Sequence, residues 1–140
     1  MSTLNWDKKL ELDVPEIDVV HQRLVAMMGK LEDQVKGGRP KAEVAATFTA
    51  LAEATKKHFA DEERYMASVG YDATQHKVAH QKLLATLTVH YDRFKADPAG
   101  QIPQPVFDFL ALWLRTHISG VDRHYADHAH AHPVARAARR

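Results

Sequence analysis

A chain of 140 residues, 45% hydrophobic and 26% charged, suits one soluble globular domain with room to bury a core. A formal net charge of +1 removes any general electrostatic case for nucleic-acid binding, and the absence of cysteine removes disulfides, thiolate metal sites and cysteine nucleophiles. Met1 to Leu12 lacks the apolar segment of a signal peptide, and no apolar run nears the roughly eighteen residues of a membrane span, so the expected location is cytoplasmic.

Residues 1–16 read as an extended arm, with Trp6 laid over the helices. Pro15 disfavours helix at Val14, and Asp18 is the expected N-cap of the first helix. From there to about Val35, the residues Ile17, His21, Leu24, Met28, Leu31 and Val35 recur at alternating steps of four and three, the inward stripe of a bundle helix. Gly37-Gly38-Arg39-Pro40 closes that helix, and Pro40 is the expected first residue of the second. The second stripe is Val44, Phe48, Leu51, Thr55, His58, Glu62, Tyr65 and Val69, ended by Gly70. A third helix runs from Asp72, as cap, to about Lys95, with His76, His80, Leu83, Leu87 and Phe94 inward and Leu84 and Tyr91 flanking. Asp97-Pro98-Ala99-Gly100 and Pro103 make the next link. The fourth helix starts near Pro105, with Val106, Leu110, Trp113 and His117 on its stripe, which would continue at Gly120 or Val121 rather than at Asp122.

No period-two run or hairpin dipeptide argues for a strand. Four helices on short links predict an all-α, up-down-up-down four-helix bundle with an extended N-terminal arm, occupying residues 1–128. A basic, histidine-containing tail follows at 129–140.

Histidine is over-represented, with ten residues in the chain. His58 and Glu62 are four apart, as are His76 and His80, so each pair shares a helix face. In an up-down-up-down bundle the start of the first helix, the end of the second, the start of the third and the end of the fourth meet at one pole. His21, His58, Glu62, His76, His80, His117 and Asp122 therefore converge inward at one level. Burying carboxylates and imidazoles without partners is costly. A metal-free polar network is one way to satisfy them, and coordination is another. Coordination is favoured, because five imidazoles at one level would repel on protonation and lack acceptors. So many donors exceed one tetrahedral zinc. They suit two octahedral ions about 3.5–4 Å apart, bridged by Glu62 and Asp122, with iron the expected metal. His117 and Asp122 are five apart, about 140° on an ideal helix. Both reach one centre only if the helix unwinds, bulges or ends near Gly120.

The segments Ile17-Asp18-Val19-Val20-His21, His58-Phe59-Ala60-Asp61-Glu62-Glu63 with Met66 and Gly70-Tyr71, His76-x-x-x-His80, and Trp113 through Asp122 together resemble the hemerythrin family, in particular its single-domain bacteriohemerythrins. The resemblance covers roughly residues 4–127. It departs at Asp72, where the family often has proline after Gly-Tyr. It implies one iron held by His76, His80 and His117 and a second held by His21 and His58. Glu62, Asp122 and a solvent-derived oxo or hydroxo bridge would join them, leaving one position at the second iron open for dioxygen. The implied function is non-enzymatic, reversible dioxygen binding for carriage, storage or delivery, with a membrane oxygenase or oxidase as one outlet and a monomer as the expected state. The alternatives are a di-iron enzyme of peroxidase-like or nitric-oxide-handling type, and an oxygen or iron sensor module. Five imidazoles with only two carboxylates favour reversible binding over oxygenation.

Phe59, Trp113, Leu114 and Ile118 flank the donors and are candidates for an apolar oxygen-pocket wall, a role compatible with ordinary core packing. His90 reads as an interior or boundary histidine three turns below the site. His124, His128, His130 and His132, with Arg136, Arg139 and Arg140, read as a solvated end. Tyr65 and Tyr125 could hydrogen-bond near the site, and neither is assigned a role there.

Overall fold

The computed structural model describes residues 4–131. They form an N-terminal arm with one 3₁₀ turn (Lys8–Leu10), then α1 (Pro15–Lys36), α2 (Lys41–Ser68), α3 (Thr74–Ala96), α4 (Gln104–Thr116), a π-helical segment (His117–Asp122) and α5 (Arg123–Ala131). Among the described residues there is no strand, and the fold is the expected all-α four-helix bundle, its fourth rod made of α4, the π segment and α5 in continuous succession. No helix among them is long and apolar enough to cross a membrane.

The stripes face inward as their spacing requires. Ile17, Leu24, Met28 and Leu31 of α1, Val44, Phe48 and Leu51 of α2, Leu83 and Leu87 of α3, and Val106 and Leu110 of α4 are all buried in one core. Contacts between helix ends show the alternating direction of the rods. Lys41, at the start of α2, donates to the carbonyls of Lys95 and Asp97 at the end of α3. Gln104, at the start of α4, donates to Glu32 near the end of α1. Both contacts lie at the pole opposite the histidines.

The helix ends depart from expectation in detail. Pro15 itself opens α1, and Asp18 sits within its first turn, where its carboxylate accepts from the Leu12 amide at 2.9 Å. Pro40 is the residue before α2, which begins at Lys41. Asp72 lies outside α3 and accepts from the amide and hydroxyl of Thr74. These shifts follow from turn chemistry, since a short carboxylate can serve an Asx turn as well as a cap. Gly38 and Gly70 end α1 and α2 at φ 67° and 73°. The Arg39 amide then returns to Gln34 O and the Tyr71 amide to Met66 O, closing Schellman turns that only the left-handed region allows.

The arm is tied down rather than free. Leu10, Leu12 and Val14 are buried, and Trp6 is half-buried against the core. The Arg123 guanidinium donates to the carbonyls of Lys9 and Glu11, and Arg115 pairs with Asp7. The fourth rod also runs past residue 128: Ala129 is fully buried, and α5 ends at Ala131. His128 and His130 donate their Nε2 hydrogens to the carbonyls of Val69 and Leu12 at 2.8 and 3.0 Å and so help dock the helix, His128 half-buried and His130 still exposed. His124 is exposed. His132, Arg136, Arg139 and Arg140 lie outside the described residues.

Candidate metal centre

His21 stands in the second turn of α1, His58 and Glu62 in the last turns of α2, His76 and His80 in the first turns of α3, and His117 and Asp122 at the two ends of the π segment. The antiparallel rods bring all seven to one pole, none more than 5% exposed. Glu62, His76, His80, His117 and Asp122 present donor atoms within 4.8 Å of one another, and His21, His58 and Glu62 form a second such group.

The two carboxylates span these groups. Glu62 turns Oε2 toward His21 and His58, at 3.4 and 3.2 Å, and Oε1 toward His76 and His80, at 3.3 and 2.9 Å. Asp122 turns Oδ2 toward His21 at 3.4 Å and Oδ1 toward His76 and His117, at 2.8 and 3.0 Å. Each carboxylate thus offers one oxygen to the two-histidine side and the other to the three-histidine side.

Asp122 reaches inward because the helix changes pitch. In a π turn the repeat closes over five residues instead of four, which realigns positions five apart. His117 and Asp122 are both buried while Gly120 and Val121 face out. The expected irregularity is therefore a π-helical turn, and its geometry makes no demand for glycine at position 120. Its φ lies outside the left-handed region, and a Cβ added there would meet nothing within 4 Å.

Close approach does not amount to hydrogen bonding here. Nε2 of His58 and His80, Oε1 of Glu62 and both oxygens of Asp122 find no hydrogen-bond partner among the described residues. Nε2 of His76 and of His117 face each other at 3.1 Å. Buried polar atoms left in this condition are expensive. A cation between them would satisfy them together, so the residues present fit metal held by imidazole and carboxylate. Without an ion the charges rearrange. Burial opposes ionisation of Glu62, but the imidazoles of His21, His58, His76 and His80 outweigh it and hold the carboxyl well below its usual range. Burial opposes protonation of His76, yet Asp122 and Glu62 raise it to about 9. His21 is raised in the same way, against its own burial, by Glu62 and Asp122.

Two aromatic rings hold imidazoles by their faces. Phe59 stacks on His80 at 3.7 Å and 2° between planes, and Trp113 on His117 at 4.3 Å and 12°. Phe59, Trp113 and Leu114, with Leu24, also line an apolar cavity of about 30 Å³ beside the site. Ile118 is fully buried but does not line that cavity. The rings therefore lie against the three-histidine side, with Phe59 6.0 Å from His58. His90 is half-buried, with its ring 6.4 Å from that of Phe109 and remote from the donors.

Two further residues complete the surroundings. Tyr125 donates to Glu62 Oε2 at 2.8 Å, and burial beside Glu62 and Asp122 pushes its phenol well above the usual range. Glu63 meets His80 Nδ1 at 2.9 Å. Tyr125 had only proximity to recommend it. Glu63 follows the inward Glu62 and so leaves the helix about 100° away, and only the tertiary fold reveals its partner on α3.

A sequence profile described as the hemerythrin HHE cation binding domain matches residues 12–132. A bacteriohemerythrin of Stenotrophomonas maltophilia is 30% identical over 94% of this chain and 85% of its own length. A bacteriohemerythrin of Clostridium acetobutylicum is 27% identical over 87% and 98%, and a myohemerythrin of Riftia pachyptila is 26% identical over 86% and 88%.

Proposed function

The chain belongs to the hemerythrin family, and from that membership we propose a protein that binds dioxygen reversibly at a non-haem di-iron centre, for carriage, storage or delivery rather than catalysis. One observation carries the reading: seven buried donors in two groups, joined by two carboxylates whose oxygens face opposite sides, with Oε1 of Glu62 and both oxygens of Asp122 lacking hydrogen-bond partners among the described residues.

In this reading His76, His80 and His117 would hold one iron and His21 and His58 the other, with Glu62 and Asp122 shared between them. Ferrous ions supply the electrons that dioxygen takes up reversibly. The five imidazoles bind as neutral donors through Nε2. With only two carboxylates, the donor set does little to stabilise high oxidation states, which favours release over oxygenation. Glu62 and Asp122 neutralise part of the ions' charge, and the Tyr125 hydroxyl fixes the heading of Glu62. Phe59 and Trp113 keep two rings from turning away. The apolar cavity lined by Leu24, Phe59, Trp113 and Leu114 keeps water, and with it protons, from a bound ligand. With both carboxylates shared, the three-histidine side would have five protein donors and the two-histidine side four, which supports an open position on the latter.

The test is iron content together with the visible spectrum of the anaerobically reduced protein, before and after admission of air. Two irons per chain and a charge-transfer band that comes and goes with oxygen are expected. Immediate irreversible oxidation, or turnover of peroxide, would replace carriage with an enzymatic or sensing role. A protein that takes up no iron would overturn the reading.

A further inference from the structure

The imidazoles at the pole differ in what holds the ring nitrogen that faces away from the carboxylates. Nδ1 of His21, His58 and His76 has no partner among the described residues. Nδ1 of His80 lies 2.9 Å from Glu63 Oε2. The same ring presents Nε2 to Glu62 at 2.9 Å and is stacked face to face on Phe59. His80 is therefore pinned in plane by an aromatic ring and about its axis by a carboxylate. Glu63 is 28% exposed, standing between the cluster and solvent, and it bridges α2 to α3.

A carboxylate can only accept, so the hydrogen of the ring must sit on Nδ1. That leaves the Nε2 lone pair facing the donor cluster. A carboxylate behind an imidazole also makes the far nitrogen a stronger donor. We propose that Glu63 is a positioning residue for metal loading. It holds His80 in the Nδ1–H tautomer, directs Nε2 inward and strengthens it, so that the three-histidine side binds its ion more tightly than three unsupported imidazoles would. The inference rests on the di-iron reading above.

An ordinary interhelical ion pair would also bring Glu63 to His80, and the experiment separates the two. Metal-free full-length protein and the variants E63A and E63Q are titrated with cobalt(II) against a chromophoric chelator. The zinc-loaded forms are then examined by NMR with ¹⁵N-labelled histidine. In the unaltered protein one ring N–H, assigned to His80 Nδ1, should be shifted downfield of the other ring N–H signals by its hydrogen bond to the Glu63 carboxylate. In E63A that signal should be lost and the tighter cobalt affinity should fall by about 10–100-fold. E63Q keeps an acceptor of the same size without the charge. It should retain the signal and bind with intermediate affinity, and it carries the comparison if E63A folds poorly. Loss of thermal stability with unchanged affinity and an unchanged ring signal would make the contact an ion pair and overturn the proposal alone. Failure of the unaltered protein to take up any metal would overturn this proposal and the di-iron reading together.

Discussion

Tyr125 donates its hydroxyl hydrogen to Glu62 Oε2 across 2.8 Å, and neither side chain reaches solvent. The contact ties α5, beyond the π turn, to the carboxylate that both donor groups share. A hydrogen bond to a buried charge is worth more than one to a neutral group, because the charge has no water to fall back on. Tyr125→Phe keeps the ring and its packing against Tyr65 and Tyr71 while removing that one donor. Metal-free protein carrying the change should lose about 1.5–3 kcal/mol in urea unfolding with its helical circular dichroism intact. An unchanged midpoint would mean that Glu62 does not depend on the phenol.

Much of the fold was legible because each helix writes its inner face at alternating steps of three and four. His21, His58, Glu62, His76 and His80 fall on those stripes, so a topology argument alone sends them to one pole. Asp122 could not be placed by periodicity, which points to Gly120 or Val121. Only the five-residue gap from His117 hinted at a change of pitch. What stayed hidden depends on contacts between elements. The docking of His128 and His130 on Val69 and Leu12 requires knowing that the arm passes beneath α5. The partnership of Glu63 and His80 requires the relative rotation of α2 and α3. Asp18 and Asp72 were both plausible caps, and each instead serves a neighbouring turn.

His58→Ala removes one of the two imidazoles on the two-histidine side and leaves Glu62 Oε2 facing a void. Iron per chain should drop toward half of that in the unaltered protein, and the oxygen-dependent visible band should disappear. Elemental analysis with anaerobic spectroscopy checks both. Full iron content with an intact band would show that His58 is not a ligand.

Gly120→Ala distinguishes two causes for the π turn. If the turn needed glycine, alanine would straighten it, withdraw Asp122 and lower metal content. The position is exposed, its φ is outside the left-handed region, and nothing lies near the added methyl. The expected result is unaltered metal content and a gain of about 0.5–1 kcal/mol in stability, as for glycine to alanine within a helix.

Metal removal should change the sign of the pH dependence of stability. In the metal-free protein His76 is opposed by burial but held up to about 9 by Asp122 and Glu62, against an ordinary value of 6.5. Its protonated form is favoured by folding, so that stabilisation is complete below pH 6.5 and disappears as pH rises through about 9. Glu62 is displaced downward, so its contribution is present above its ordinary value of 4.5 and is lost only as pH falls through the lowered value. Metal-free protein should therefore be most stable between these limits and should weaken steadily from pH 6.5 to 9. Coordination reverses the second trend. A metal needs the imidazoles neutral and displaces the proton that His76 otherwise keeps, so loading becomes more favourable as pH rises over the same interval. Urea unfolding of metal-free and metal-loaded protein across that interval should give opposite slopes. Parallel curves would mean that the imidazoles and carboxylates of the pole are not competing for protons and metal at the same atoms.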